Sequence, residues 1–205
     1  MSKLNVLFID GENFLHKIND ALRNSKSTEE KSDIAHIKLN QLIENVANDI
    51  KIDKKIFYAA RLHEHSESKE KSKELIKLQR QLKTNLEKQG FEFIIAGNVR
   101  AQKVFADHKS SIVFREKGVD VRIAVDLVSM ACDGNLGMAI LCSSDSDLQP
   151  AVAEVRKRDI EIIYLGFEKN PNKGLIYTTN RTILFRNSEI IKALIKVDSN
   201  NLKKD

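Results

Sequence analysis

Four aspartates occupy sequence positions where carboxylates could bind a divalent cation. Each one follows an apolar run or lies in the first turn of a predicted helix, and they are Asp10, Asp120, Asp145 and Asp147. The group contains neither His nor Cys, and sites built only from oxygen ligands suit Mg²⁺ or Mn²⁺. These residue types therefore indicate chemistry that uses a divalent metal ion.

Short apolar runs separated by helical patterns predict the elements that must bring these acids together. The runs typical of buried strands are Leu4–Ile9, Lys55–Ala60, Phe91–Ala96, Met138–Cys142 and Ile160–Leu165. Helical spacing of apolar residues predicts helices at Ile37–Ile50, Ser66–Gln89, Val119–Ala131 and Leu148–Arg158. This alternation favours an α/β fold with a mainly parallel central sheet covered on both faces. Ligands of such sheets bind beyond the carboxyl ends of the strands.

Asp10 and Asp145 both follow predicted strands, so they are expected at that edge of the sheet. Asp145 could instead cap the helix that follows it, and Asp120 could favour the positive end of its own helix dipole. No helix is predicted directly after Asp10, where Gly11 is expected to ease a sharp turn of the backbone. If the two strands are neighbours, the like charges must either raise a pKa or attract a cation.

Asp126 is expected to have a different role from Asp120. It lies six residues further along the predicted helix, which is about 9 Å along the axis and about 120° around it. One ion is not expected to bind both carboxylates. Asp126 is predicted to hold neighbouring groups instead.

Composition excludes several classes of protein. The chain has 205 residues, of which 41% are hydrophobic and 31% charged, so it is long and apolar enough for one folded domain over residues 1–197. It has no apolar run of the length that a membrane helix needs, and no signal-peptide pattern, which predicts a cytoplasmic protein. Cys132 and Cys142 are expected to be buried thiols. A net charge of +5 mildly favours an anionic partner.

The segment Val99–Arg115 is predicted to form a hairpin or extended loop inserted between the third strand and the next helix. It carries several cations, which could contact nucleic acid or simply face solvent; they are Arg100, Lys103, His108, Lys109 and Arg115. Towards the C-terminus, Ile183–Arg186 predicts a short extra strand and Ser188–Lys196 a final helix. Residues 198–205 are expected to form a frayed tail.

Three segments together resemble the NYN family, a branch of the PIN-like nucleases that includes LabA-like proteins. They are FIDGEN at Phe8–Asn13, KGVDVRIAVD at Lys117–Asp126, and LCSSDSDLQPAVAEVRKRDIEI at Leu141–Ile162. The resemblance implies a three-layer α/β/α PIN-like (Rossmannoid) domain with strand order 3-2-1-4-5. It also implies metal-dependent ribonuclease activity. Leu148 stands where similar proteins often have Phe, and the hairpin is longer than the usual connection.

The resulting hypothesis is an endoribonuclease that hydrolyses RNA, expected to be single-stranded, by metal-activated water. Asp10 and Asp145 would hold Mg²⁺ or Mn²⁺, and Asp120 and Asp147 would complete the ligands directly or through water. Asn13 and Ser144 would hydrogen-bond phosphate or metal-bound water. Lys117 and Arg122 would bind flanking phosphates. A homodimer is compatible with the sequence.

Two other functions are compatible with the same residues. A non-catalytic RNA-binding or regulatory module would keep the fold and bind RNA without cutting it. A metal-dependent nucleotide-sugar transferase could use Asp145 and Asp147 as an Asp-x-Asp motif, although this leaves Asp10 and Asp120 without a role.

Overall fold

The computed structural model describes residues 3–24, 32–64, 69–106 and 109–196. Its central feature is a seven-stranded sheet with the spatial order β5-β4-β3-β1-β6-β7-β8. Neighbouring strands are parallel, except that β5 runs antiparallel to β4. The strands are β1 (Leu4–Asp10), β3 (Lys54–Arg61), β4 (Glu92–Ala106), β5 (Lys109–Lys117), β6 (Leu136–Cys142), β7 (Glu161–Phe167) and β8 (Arg181–Phe185). A separate two-stranded pair joins β2 (Ser32–Asp33) to β9 (Ile195–Lys196).

Helices follow most of the parallel strands. They are α1 (Gly11–Asn24), α2 (Leu39–Val46), α3 (Lys69–Lys88), α4 (Val119–Cys132), α5 (Gln149–Arg156), α6 (Lys173–Thr178) and α7 (Asn187–Ala193). Single 3-10 turns occur at Ile34–His36 and Ser146–Leu148. Within the described ranges, no helix combines the length and the apolar character needed to cross a membrane.

The sheet separates two hydrophobic cores, which makes the fold a three-layer α/β/α arrangement. Strand residues that point to one face, such as Leu7 and Ile9, pack against α1, α2, α3 and α7. Alternate strand residues, such as Val6 and Phe8, pack against α4 and α5. Alternation along each strand assigns every side chain to one core, because successive residues point to opposite faces.

The predicted fold class is confirmed. The five predicted strands adopt the expected order 3-2-1-4-5, and β8 extends the parallel part to six strands. The predicted hairpin is also present, because β4 and β5 pair antiparallel from Asn98↔Lys117 to Ala106↔Lys109. Residues 107–108 of its turn, and the predicted tail at 198–205, lie outside the described residues.

The sequence patterns missed two helices and placed one cysteine wrongly. Helix α1 begins directly after β1, where no helix was predicted, and α6 was also missed. Helix α1 was readable from Phe14, Ile18 and Ala21, which recur at helical spacing and are buried. Cys142 is buried as expected, but Cys132 is exposed because it lies in the last turn of α4 on the side away from the sheet.

Gly11 is required for close packing rather than for a turn. It is the first residue of α1, and its φ is not among the positive values found at other glycines. A Cβ at this position would overlap the ring of Phe57 and the carbonyl oxygen of Tyr58 on β3. The start of α1 therefore lies directly against the neighbouring strand, which keeps Asp10 at the edge of the sheet.

We expect Gly11→Ala to lower the free energy of unfolding by about 1 to 3 kcal/mol, because β3 backbone cannot move away from the added methyl group without disturbing the sheet. Urea denaturation measures the change. Ser129→Ala on the exposed side of α4 is the control, since it adds helix propensity without a clash. A Gly11→Ala protein as stable as the original would contradict the packing argument.

Candidate active site

The carboxyl ends of β1 and β6 lie side by side. Ile9 pairs with Cys142 in the parallel ladder, so Asp10 and Ser143 come next to each other at the edge. Ser143 Oγ donates a hydrogen bond to Asp10 Oδ2 at 2.9 Å. The backbone N–H of Asp145 donates to Ser143 Oγ at 3.1 Å. Ser143 therefore links the buried carboxylate of Asp10 to the loop that carries Asp145.

Asp10 caps helix α1, contrary to the expectation that it has no helix to cap. The N–H of Asn13 donates to Asp10 Oδ1 at 3.1 Å. Each carboxylate oxygen can accept more than one hydrogen bond, so capping leaves acceptor capacity on both oxygens. Asp10 is only 4% exposed, which is rare for an ionised side chain. Its structural role and a ligand role are therefore compatible.

Asp145 and Asp120 both lie close enough to Asp10 to influence its pKa. Burial raises the pKa of Asp10 above its ordinary value, and the charge of Asp145 raises it further. Hydrogen bonds from Asn13 and Ser143, and one with the Asp120 carboxyl group, act in the opposite direction. Within the described residues, no positively charged group is among the main influences on Asp10. A divalent cation would supply the missing charge.

Asp120 reaches Asp10 because of the turn between β5 and α4. Gly118 is the residue before α4 and has a φ of 102°, which L side chains rarely adopt. It lies against Gly97 of β4, whose φ is also positive. These two glycines allow β4, the end of β5 and the first turn of α4 to come together.

Asp145 and Asp147 belong to a short turn before α5. Asp145 is the cap of that turn, since its Oδ1 accepts a hydrogen bond from the N–H of Asp147 at 2.8 Å. Asp145 therefore caps this 3-10 turn rather than helix α5, whose own N-cap is Leu148. The side chain of Asp147 is exposed, so it can reach solvent or a ligand at the rim.

Helix α6 holds the loop that carries these acids. Asn172 donates from Nδ2 to the carbonyl oxygen of Ser144 at 2.8 Å and caps α6 through Leu175. Its backbone N–H donates to the Tyr164 hydroxyl at 3.1 Å. Ser144 Oγ is buried beside that hydroxyl, but it makes no hydrogen bond of normal geometry within the described residues. Ser143, rather than Ser144, contacts Asp10.

Asp126 forms a hydrogen-bonded unit with Arg122 and Tyr58. Arg122 Nε lies 2.9 Å from both carboxylate oxygens of Asp126, and the Tyr58 hydroxyl donates to Oδ2 at 3.0 Å. Burial raises the pKa of Tyr58, with a further contribution from Asp126, so the hydroxyl keeps its proton. The unit ties α4 to β3, and it engages the Arg122 cation predicted to bind phosphate.

The other predicted contact residues lie at the same edge. Lys117 is exposed at the end of β5, opposite Asn98. Asn13 is half-buried in the first turn of α1, and its backbone N–H is the group that contacts Asp10. In the described part of the chain, no set of three His, Cys, Asp or Glu side chains is already arranged to hold a metal ion.

Comparison with protein families gives a match that includes every segment carrying the candidate site. The model of the NYN domain matches residues 5–186, which is nearly the whole chain.

The chain belongs to the NYN domain family.

This NYN domain therefore has a PIN-like nuclease fold, and NYN domains are generally nucleases. Its structure is similar to the crystal structure of a protein of unknown function from Vibrio parahaemolyticus, with a TM-score of 0.59 and 17% sequence identity. The match covers 94% of this chain and 97% of the other, and it supports the fold alone. Comparison with curated proteins gave no match.

Three residues that shape the site were not predicted: Ser143, Tyr58 and Asn172. Ser143 could have been found by alternation, because it shares a face with Leu141 and is the first residue after β6. Tyr58 pairs with Asp10 in the β1–β3 ladder, which requires knowledge of the register. Asn172 caps a helix that the sequence pattern did not predict.

We expect Asp10→Asn to stabilise the metal-free NYN domain increasingly as the pH rises. The folded state raises the pKa of Asp10, so the folded protein binds this proton more tightly than the unfolded chain. The stability of the original protein must therefore fall as the pH rises from the ordinary Asp value of about 3.9 through the raised folded value. Urea denaturation in EDTA at several pH values measures the difference.

Asp133→Asn is the matched control, because Asp133 is exposed at the far end of α4. It should show no comparable dependence on pH. If Asp10→Asn were less stable than the original protein by a constant amount at every pH, the conclusion that Asp10 is a buried, uncompensated charge would be wrong.

Proposed function

We propose that this NYN domain is a metal-dependent endoribonuclease that hydrolyses phosphodiester bonds in single-stranded RNA. The observation that carries the proposal is the convergence of Asp10 with Asp120 and Asp145, which come from three separate segments of the chain. Capping explains one acid at a time, but it does not explain why a buried carboxylate has two further acids beside it. Membership of a family of nucleases supports the same function.

Mg²⁺ or Mn²⁺ is the cofactor that suits these ligands. Asp10, Asp120 and Asp145 would hold the ion, and the exposed Asp147 would contribute directly or through water. A bound divalent ion lowers the pKa of water and neutralises charge that develops on the phosphate during hydrolysis. The oxygen-only ligands and the absence of a positive charge among the main influences on Asp10, within the described residues, both fit such an ion.

The residues around the acids orient them. Ser143 and the N–H of Asn13 each bind one oxygen of Asp10, which fixes the plane of its carboxylate. Lys117 would bind a phosphate of the substrate, which positions RNA without selecting a sequence. Arg122 would contribute less than Lys117, because Asp126 already engages its charge.

A non-catalytic RNA-binding module is the second candidate, and a specific observation favours it. Asp10 and Asp145 both cap helical turns, so a domain without catalysis could retain them for stability. This candidate predicts RNA binding that weakens with salt and no cleavage with any metal. The cytoplasmic location and the homodimer stay predictions from the sequence.

RNA cleavage with and without metal tests the nuclease. We expect end-labelled single-stranded RNA to be cut internally in Mg²⁺ or Mn²⁺ and to stay intact in EDTA. Asp10→Asn, Asp120→Asn and Asp145→Asn should each lower the rate by at least about 100-fold, because loss of one ligand weakens both the binding and the position of the ion. Asp147→Asn should have a smaller effect, since Asp147 is exposed.

Asp133→Asn is again the matched control and should retain the original rate. Calorimetric titration with Mn²⁺ gives a second readout, in which Asp10→Asn should lose most of the heat of binding. Full cleavage by an Asp10→Asn, Asp145→Asn double variant would refute the assignment of the site.

A further inference from the structure

A row of polar side chains crosses three neighbouring strands beside the candidate active site. Arg61 of β3 pairs with Asn98 of β4, and Asn98 pairs with Lys117 of β5. Paired residues on adjacent strands project from the same face, and strands lie about 4.8 Å apart, so the row spans about 10 Å. His63 extends it, since its Nε2 lies 3.2 Å from Asn98 Oδ1. All four side chains are exposed.

Arg61 and Lys117 are the two cations in this row. Among the side chains that the structure describes, neither Arg61 nor Lys117 forms an ion pair with an acid. Arg61 and Lys117 lie at strand ends, where the pairing of neighbouring strands holds them in register.

The first half of α3 precedes the contact between this helix and the end of β3. Gln79 Nε2 donates to the carbonyl oxygen of Ala60, next to the end of β3, at 2.8 Å. Helix α3 begins at Lys69, so the ten residues before Gln79 extend about 15 Å from that contact along the helix axis at 1.5 Å per residue. This stretch has four Lys and two Glu, which gives it a net charge of +2.

The β4–β5 hairpin projects beyond the same edge. The pairing Asn98↔Lys117 marks its base, and the ladder continues without interruption to Ala106↔Lys109. Gly118 and Gly97 lie in contact at this base, and Asp120 follows two residues after Gly118. This turn therefore connects Asn98 and Lys117 of the row to Asp120 at the start of α4.

We propose that Arg61, Asn98, His63 and Lys117 form a phosphate-binding row that carries the RNA strand away from the acids and along the first half of α3. This proposal rests on the proposed function and adds the path of the substrate. Val99 packs against the hydrophobic core on the α4 side of the sheet. Successive strand residues point to opposite faces, so Asn98 and the row face the α3 side. The RNA strand would therefore cross the carboxyl edge of the sheet between the acids and the row. Phosphate contacts of this kind add affinity without sequence preference.

RNA binding without cleavage tests the row separately from catalysis. Binding of labelled 20-nucleotide RNAs of different sequence is measured in EDTA by fluorescence anisotropy at several salt concentrations. Arg61→Ala should weaken binding roughly fivefold for every sequence, which is the scale of one exposed ionic contact. It should also reduce the slope of log affinity against log salt by about 0.7, the value for one contact to a single strand. Arg61→Lys should restore most of both quantities, since the charge is kept.

A paired reversal tests the extension along α3. Lys73→Glu with Lys77→Glu should weaken binding of the 20-nucleotide RNA more than that of a four-nucleotide RNA, because only the longer strand reaches this stretch. Lys88→Glu is the control for a single charge reversal, since Lys88 is exposed on the same helix at its opposite end. If Arg61→Ala, the paired reversal and the Lys88→Glu control all bind the 20-nucleotide RNA with equal affinity, the proposed row is wrong.

The outcomes separate the two proposals. Weaker binding by Arg61→Ala, together with no cleavage by the original protein in any metal, would support the row and refute the nuclease. A different outcome is that cleavage depends on metal but Arg61→Ala has the same kinetics as the original protein, including the same KM for long RNA. That outcome would support the nuclease and refute the row.

Discussion

The buried carboxylate of Asp10 is the constraint on which the rest of the site depends. The residue ends β1, caps α1, accepts a hydrogen bond from Ser143 after β6 and contacts Asp120 from α4. Four elements therefore converge on one side chain. Burying an ionised group without a positive partner is unfavourable, so this arrangement must be stabilised by the packing around it. Such a compromise between stability and function is typical of sites that bind a charged ligand.

The two faces of the sheet carry different parts of the site at this edge. Asp10, Ser143 and Tyr58 lie on the α4 face, where Tyr58 binds Asp126 and thereby ties α4 to β3. Helix α4 consequently cannot shift without breaking that bond, and its first turn keeps Asp120 beside Asp10. On the other face, α3 is anchored to the end of β3 through Gln79, and its basic first half precedes that contact. Helix α4 therefore positions the acids, and α3 carries exposed cations on the opposite face.

Most of the fold could be predicted from local patterns, because parallel strands buried on both faces read as apolar runs. The order of β3, β1 and β6 followed from the resemblance of three motifs and is confirmed. Helix α1 was missed because polar residues dominate its composition, although Phe14 and Ile18 mark its buried side. Contacts within the site were harder to predict. The Ser143 bond to Asp10 depends on the register of β1 and β6, and the Asp126 unit depends on where α4 crosses β3, neither of which a local pattern encodes.

A crystal of the full chain soaked in Mn²⁺ would test the central claim most directly, since anomalous scattering locates the ion independently of any activity. We predict a peak at the carboxyl edge of β1 and β6, within ligand distance of Asp10 and Asp145, with Asp120 bound directly or through water. A saturated crystal with no peak at that edge, or with Mn²⁺ bound only elsewhere, would contradict it.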